Sequence, residues 1–177
     1  IYAGTGTAGY LGDGGAATAA RLRSPEGVCL ASNGDLYVAD TANDVVRLIT
    51  AATGVISTYA GTGTAGSSGD GGPATSATLN GPEALALTAS GDLYIADSGN
   101  HKIRRVQAGS GTISTIAGTG TAGFSGDGGS STSAQFDSPR GITVASTGAY
   151  YVGDRNNNRV RKVTGVLAVV AWVETRS

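Results

Sequence analysis

The sequence predicts an all-β protein made of three copies of one structural unit, and two observations support this. The tract Ala-Gly-Thr-Gly-Thr-Ala-Gly begins at Ala3, Ala60 and Ala117, so each copy starts 57 residues after the last. The composition, with 30 glycines, no methionine and 14% charged residues, favours turns and short strands over helices. Any function must therefore be compatible with a repeated unit.

The second copy shows the strands of the unit most clearly. Apolar and β-branched segments cover residues 83–87, 92–96, 102–106 and 112–116. Short stretches of Gly, Asn, Asp and Ser separate them, and these residues favour tight turns. Each copy is thus predicted to form a four-stranded antiparallel meander. Because both faces of such a sheet carry apolar residues, it must be stacked between neighbours, as the blades of a β-propeller are.

A specific family resemblance follows from these residues. The segment from Pro82 to Val106 resembles an NHL repeat, and residues 25–49 and 139–163 are similar to it. The tract that begins each copy, followed by Gly-Asp-Gly-Gly, is similar to the glycine-rich subtype of NHL propellers. The repeat boundaries predict blades at about 3–59, 60–116 and 117–173, with a C-terminal tail at 174–177. After Val163 the third copy departs from the pattern, yet it stays apolar enough for an outer strand until about Val173.

Composition argues against several classes of partner. The formal net charge is −1, so nucleic acid is an unlikely partner for the whole domain, although the third copy is locally basic. The sequence contains no apolar stretch long enough for a membrane helix. The lone Cys29 is predicted to be a small buried apolar residue. The Thr, Ser and Gly richness and the family resemblance favour an extracellular or cell-surface location.

Two sets of repeated polar residues are candidate binding residues. Because a meander alternates direction, the entry to the first strand and the turn between the second and third strands share one face, here called the loop face. The Gly-Asp-Gly-Gly tract and that turn are both predicted to lie there. The candidates are Asp13, Asp70, Asp127, Asn43, Asn100 and Asn157. Each loop brings one carboxylate, without the spacing of a calcium-binding loop. No metal or other cofactor is therefore predicted, and calcium or another divalent ion remains an alternative.

Two further sets are predicted to be structural. Each aspartate is expected to accept backbone N–H groups across the turn after the second strand, with the nearby Asn in a left-handed conformation. Each arginine is expected to form a salt bridge with an aspartate of its own or the next blade, or to pack its alkyl stem there. Phosphate or RNA binding by these arginines is the alternative. The residues are Asp40, Asp97, Asp154, Arg47, Arg104 and Arg161.

One ring position is a candidate for the central channel. Glu26 and Glu83 lie near the start of the innermost strands, and Arg140 is their counterpart in the third copy. They could bind a ligand in the channel or pair with one another. His101 is the only histidine, and it is predicted to be solvated in a turn. No catalytic residue is predicted.

The preferred function is therefore a non-catalytic scaffold that binds a protein or a saccharide through the loop face. One alternative is a metal-dependent enzyme centred on the channel, similar to the lactonases and lyases among related propellers. The other is an RNA-binding surface, which some NHL propellers have.

Three blades do not close a propeller, which needs about four to eight. Two solutions are expected. The three blades are part of a longer array, or two copies associate head to tail into the six-bladed ring that the NHL resemblance favours.

Overall fold

The computed structural model describes residues 1–164 and 168–170, and its architecture is the predicted one. In the described residues, twelve strands form three four-stranded antiparallel sheets, and neighbouring strands in each sheet are consecutive in the chain. The described residues include no helix that is long and apolar enough to cross a membrane. The strands are β1 (Pro25–Leu30), β2 (Leu36–Asp40), β3 (Val45–Ile49), β4 (Ile56–Ala60), β5 (Pro82–Leu87), β6 (Leu93–Asp97), β7 (Lys102–Val106), β8 (Ile113–Ala117), β9 (Pro139–Val144), β10 (Tyr150–Asp154), β11 (Arg159–Thr164) and β12 (Ala168–Val170).

The strand boundaries differ from the predicted ones by one residue at most positions of the second copy. The first strand already begins at Pro82, since this residue pairs with Asp97. The fourth strand extends to Ala117, which pairs with Ile103 beyond a bulge. In the third copy, β12 pairs with β11 in the segment that departs from the repeat pattern. The predicted end of the array near Val173 lies outside the described residues.

Apolar clusters between the sheets hold the blades together. Between the first two blades, Ala39 and Val46 of the first pack with Leu85 and Ile95 of the second. A second cluster, which includes Ile103, joins the second and third blades. A buried aliphatic side chain stabilises a fold by about 1.5–3 kcal/mol. The middle sheet therefore buries apolar residues on both of its faces, as the meander pattern predicts.

The glycine-rich connection does not stay on the loop face, where it was predicted to lie. In the second copy, Gly71 donates its N–H to Ile113 O at 2.8 Å, and Ile113 donates to Gly72 O at 3.0 Å. Ile113 begins the outermost strand, which starts at the opposite face, so the tract runs across the blade to that end. Gly69 has a φ of +93°, and a Cβ there would lie 2.6 Å from the Cα of Ala77. Close approach of two backbone segments therefore requires glycine at this position.

A buried ion-pair network lies inside each blade. In the first blade, Asp40 accepts hydrogen bonds from Arg47 Nη1 at 3.3 Å, from Asn43 Nδ2 at 2.9 Å and from the N–H of Arg23 at 2.7 Å. Arg47 Nη2 also donates to Asp13 at 2.5 Å. The side chains of Asp40 and Arg47 are fully buried. Each arginine thus joins the turn after the second strand to the glycine-rich connection.

The same network recurs in the other two blades. Its aspartates, arginines and connection aspartates are Asp97, Arg104 and Asp70 in the second blade, and Asp154, Arg161 and Asp127 in the third.

Two details of this turn differ from the prediction. The aspartate accepts its backbone N–H from 17 residues earlier in the chain, as Asp40 does from Arg23, and not from across the turn. The left-handed residue is the one after the asparagine, namely Asp44, His101 or Asn158, with φ values of 55°, 55° and 53°. The asparagine instead belongs to a short 3₁₀ turn, which directs its amide at the buried aspartate.

Burial raises the pKa of Asp97 to about 6, although hydrogen bonds from Asn100, from the N–H of Asn80 and from Arg104 act to lower it. The effect of removing this carboxylate from water on its pKa is therefore larger than that of the favourable contacts.

The arginine of the network should be far more important for stability than its neighbour on the same strand. Arg104→Met leaves the buried Asp97 carboxylate without its cation, which should lower the free energy of unfolding by about 3–5 kcal/mol. Arg105→Met is the matched control. Its guanidinium is partly exposed and 3.9 Å from Asp92, so a loss of no more than about 1 kcal/mol is expected. Urea unfolding at one protein concentration measures both, and equal losses would contradict the structural role of Arg104.

The raised pKa of Asp97 predicts a pH effect of defined sign. The folded protein takes up this proton more readily than the unfolded chain, whose pKa is 3.8. The stabilisation that protonation of Asp97 gives to the folded state is therefore complete below pH 3.8 and is lost as the pH rises through about 6. Relative to Asp97→Asn, the wild type should gain about 1 kcal/mol between pH 7 and pH 5. Urea unfolding of both proteins at the two pH values tests this, and a constant difference would contradict it.

Candidate functional site

The loop face presents a constant backbone that carries different side chains. The 3₁₀ turns Thr41–Asn43, Ser98–Asn100 and Arg155–Asn157 follow the second strand of each blade. The left-handed residue that ends each turn has nearly the same φ and ψ in all three copies. The exposed middle residues nevertheless differ, and they are Ala42, Gly99 and Asn156. The buried network fixes the turn, so its outward residues are free to vary.

The three predicted asparagines point into the network. Each donates to the aspartate of its own turn and to a carbonyl of the glycine-rich connection. Asn43 does so to Asp40 at 2.9 Å and to Gly9 O at 2.8 Å. Asn100 and Asn157 make the equivalent pairs of hydrogen bonds.

The three predicted aspartates of the connection are partly exposed and held by arginine. Besides its bond from Arg47, Asp13 accepts a hydrogen bond from Thr58 Oγ1 at 2.6 Å. Asp70 and Asp127 are held by Arg104 and Arg161 in the same way. The structure thus brings the six candidates together in pairs, one pair per blade, around a shared arginine. Their role in binding stays a prediction.

Exposed aromatic residues on the connection were not among the predicted site residues. Tyr10 and Phe124 occupy equivalent positions, and the second copy has Ser67 there. The Arg47 guanidinium lies 5.2 Å from the centre of the Tyr10 ring, and that of Arg159 lies 3.8 Å from the Phe124 ring. The signal in the sequence was the variation at this position within otherwise similar tracts.

The channel position brings two of its three candidates into contact. Arg140 Nε lies 2.6 Å from Glu83 Oε2, while Glu26 is exposed. Burial raises the pKa of Glu83, and the charge of Glu26 also raises it, whereas the cations of Arg140 and Arg155 lower it. The inner strands are close, since a Cβ on Gly27 would lie 2.4 Å from Glu83 O. Among the described residues, no three His, Cys, Asp or Glu side chains are grouped to hold a metal ion.

His101 lies in a boundary between blades, whereas a solvated turn position was predicted. Its Nδ1 accepts a hydrogen bond from the N–H of Ser138 at 3.1 Å and is 3.6 Å from Asp137 Oδ1. The left-handed conformation of His101 turns its side chain towards the third blade, which accounts for the difference.

A cleft of about 690 Å³ lies on the hairpin face, which is opposite the loop face, between the first two blades. Tyr37 and Tyr59 line it and pack edge to face, with ring centres 4.8 Å apart. Burial and the neighbouring Tyr37 raise the pKa of Tyr59 to about 12. Burial also raises the pKa of the adjacent, partly buried Cys29. The Tyr59 hydroxyl and the Cys29 thiol are therefore neutral at pH 7.

Comparison with known proteins gives matches in the same three regions. A family model described as NHL repeat matches residues 22–44, 79–106 and 136–163. NHL repeat-containing protein 2 of Bos taurus is 36% identical over 99 residues, which is 55% of this chain and 14% of that protein. Protein SUPPRESSOR OF QUENCHING 1, chloroplastic, of Arabidopsis thaliana is 34% identical over 85 residues, which is 48% of this chain and 8% of that protein. The chain therefore spans only a small part of these relatives.

A solved structure supports the same assignment. A protein of unknown function from Bacteroides thetaiotaomicron superposes with a TM-score of 0.65 at 25% identity, over 77% of this chain and 32% of that one. The regions matched by the family model contain the first two strands of each blade and the turns of the buried network. The three consecutive blades of this chain are therefore NHL repeats of a β-propeller.

Proposed function

We propose that the chain is a non-catalytic propeller scaffold that binds a protein or a saccharide through its loop face. The observation that carries this proposal is the constant turn with variable outward side chains. Its three copies share one backbone conformation but expose Ala42, Gly99 and Asn156. A rigid frame with variable loop residues is the arrangement that binding surfaces commonly use.

The use of the repeated polar residues supports the same proposal. The buried network engages every aspartate and arginine that all three copies share, so these residues are explained by folding. The residues left to contact a partner are the variable ones, including the exposed Tyr10 and Phe124. Aromatic and arginine side chains are favoured anchors of protein interfaces, and aromatic rings also pack against sugars.

The proposal is tested by adding the same bulky charge to each face in turn. Ala42→Arg alters the middle of a loop-face turn, and Ala89→Arg alters an exposed turn beside the cleft on the hairpin face. The purified chain is first screened against a glycan array and a panel of purified protein domains. Ala42→Arg should weaken the strongest interaction about tenfold or more, and Ala89→Arg should leave it unchanged. The reverse pattern would assign binding to the hairpin face instead.

A second candidate function rests on the channel. The pKa of Glu83 is raised and Glu26 lies near it, and paired acids of this kind can act in acid–base chemistry or hold a metal ion. Glu83 is paired with Arg140, which favours a structural role over this alternative.

Metal analysis separates the two functions. The scaffold proposal predicts that purified protein holds no stoichiometric divalent metal, and that Glu26→Ala and Glu83→Ala leave binding at the loop face unchanged. A bound metal that both substitutions remove would overturn the scaffold in favour of a channel-centred enzyme.

A further inference from the structure

Both boundaries between blades are joined by the same pair of hydrogen bonds. At the first boundary, Thr41 Oγ1 donates to Pro82 O at 2.7 Å, and the N–H of Gly81 donates to Asp44 Oδ1 at 2.8 Å. At the second, Ser98 Oγ donates to Pro139 O at 2.5 Å, and the N–H of Ser138 donates to His101 Nδ1 at 3.1 Å. Each clasp, as we name this pair, joins a side-chain donor and acceptor of one blade to two backbone groups of the next.

The two outer edges of the array carry the separate halves of a third clasp. Arg155 and Asn158 stand where the earlier blades have the side-chain donor and acceptor, and both are exposed. Asn158 has the left-handed conformation of Asp44 and His101. At the other edge, Ser24 precedes Pro25 with a φ of 47°, as Gly81 and Ser138 precede their prolines with 55° and 49°. Both halves therefore have the conformation that the internal clasps require.

The apolar residues at these edges are also complementary. Val28 of the first blade is 63% exposed, whereas its counterpart Leu85 in the second blade is 7% exposed beneath the first. On the third blade, Val160 is 62% exposed, whereas Val46 and Ile103 are fully buried at the equivalent position. In the internal boundary, Val46 and Leu85 belong to one cluster. The edges thus carry the two sides of the same apolar contact.

The inner strands add a charge match. Glu83 and Arg140 are in contact across the second boundary. Arg140 lies at the edge of the third blade and Glu26 at the edge of the first, so joining these edges would place opposite charges at adjacent ring positions. An ion pair between them would favour the correct head-to-tail orientation.

We propose that a second copy of this three-blade unit joins both edges head to tail and closes a ring. The repeated interface fixes the number of copies. A ring built only from such three-blade units would hold six blades for two copies, and no other number of copies falls within about four to eight blades. The seam would form between Arg155, Asn158, Val160 and Arg140 of one copy and Ser24, Pro25, Val28 and Glu26 of the other. This proposal is independent of what the loop face binds.

The first test measures molar mass by light scattering over a wide range of protein concentration. A species of twice 17.3 kDa is expected to dominate and to dissociate on dilution. A monomer at all concentrations, or an assembly of three or more copies, would overturn the proposal.

The second test places a charge at the seam. Val160→Asp introduces a carboxylate at a position that is exposed in the single copy but would be buried in the ring. Association should weaken about a hundredfold or more, while the circular dichroism spectrum should remain that of the wild type. Ala89→Asp, which adds the same charge away from the seam, should associate normally. A Val160→Asp protein that keeps the double mass would exclude this seam.

A cross-link establishes which residues meet. In a Cys29→Ser background, Ser24→Cys and Asn158→Cys place thiols on the two halves of the clasp, which lie on different copies in the ring. Oxidation should link two chains, because the corresponding groups are in direct contact at the internal boundaries. The control protein carries Ser24→Cys and Ala89→Cys in the same background. Equal yields from the two pairs would show random collision and would overturn the assigned seam.

Discussion

The structure depends on one buried link, in which an arginine joins two aspartates of the same blade. One aspartate ends the second strand, and the other lies on the glycine-rich connection. In the first blade, Arg47 contacts both Asp40 and Asp13. Two strands and a long connection are thus held by a side chain that is completely buried. Loss of the arginine would leave a buried carboxylate without a compensating charge. A substitution of any one of the three residues is therefore expected to require substitution of the other two.

This link also separates folding from recognition. It includes the aspartates, arginines and asparagines that all three blades share, and it fixes the loop-face turns in one conformation. Side chains that do not take part in it, such as Ala42 and Asn156, can change without altering the turn. Specificity can therefore arise from residues that contribute little to stability, which is why the variable positions are the better candidates for contact with a partner.

The repeat, the meander and the stacking of blades could be predicted from the sequence because each depends on local periodicity. The direction of the glycine-rich connection could not, because Gly71 and Ile113 are far apart in the sequence and their pairing leaves no periodic signal. The asparagines appeared to be surface residues, since the sequence does not show that Asn43 directs its amide at a buried carboxylate. His101 was misplaced for a related reason, as its partner Ser138 belongs to another blade.

The channel residues connect the question of function to that of ring closure. In the proposed ring, each Arg140 would stand between Glu83 of its own chain and Glu26 of the other copy. Every glutamate would then have an arginine as one neighbour, and the charge of each acid would be offset by a guanidinium group. An open array leaves Glu26 exposed and free to bind a ligand, whereas closure pairs it. Both glutamates of the channel would then be paired with arginine, Glu83 within its chain and Glu26 across the seam, so a closed ring would itself favour a scaffold over a metal-dependent enzyme.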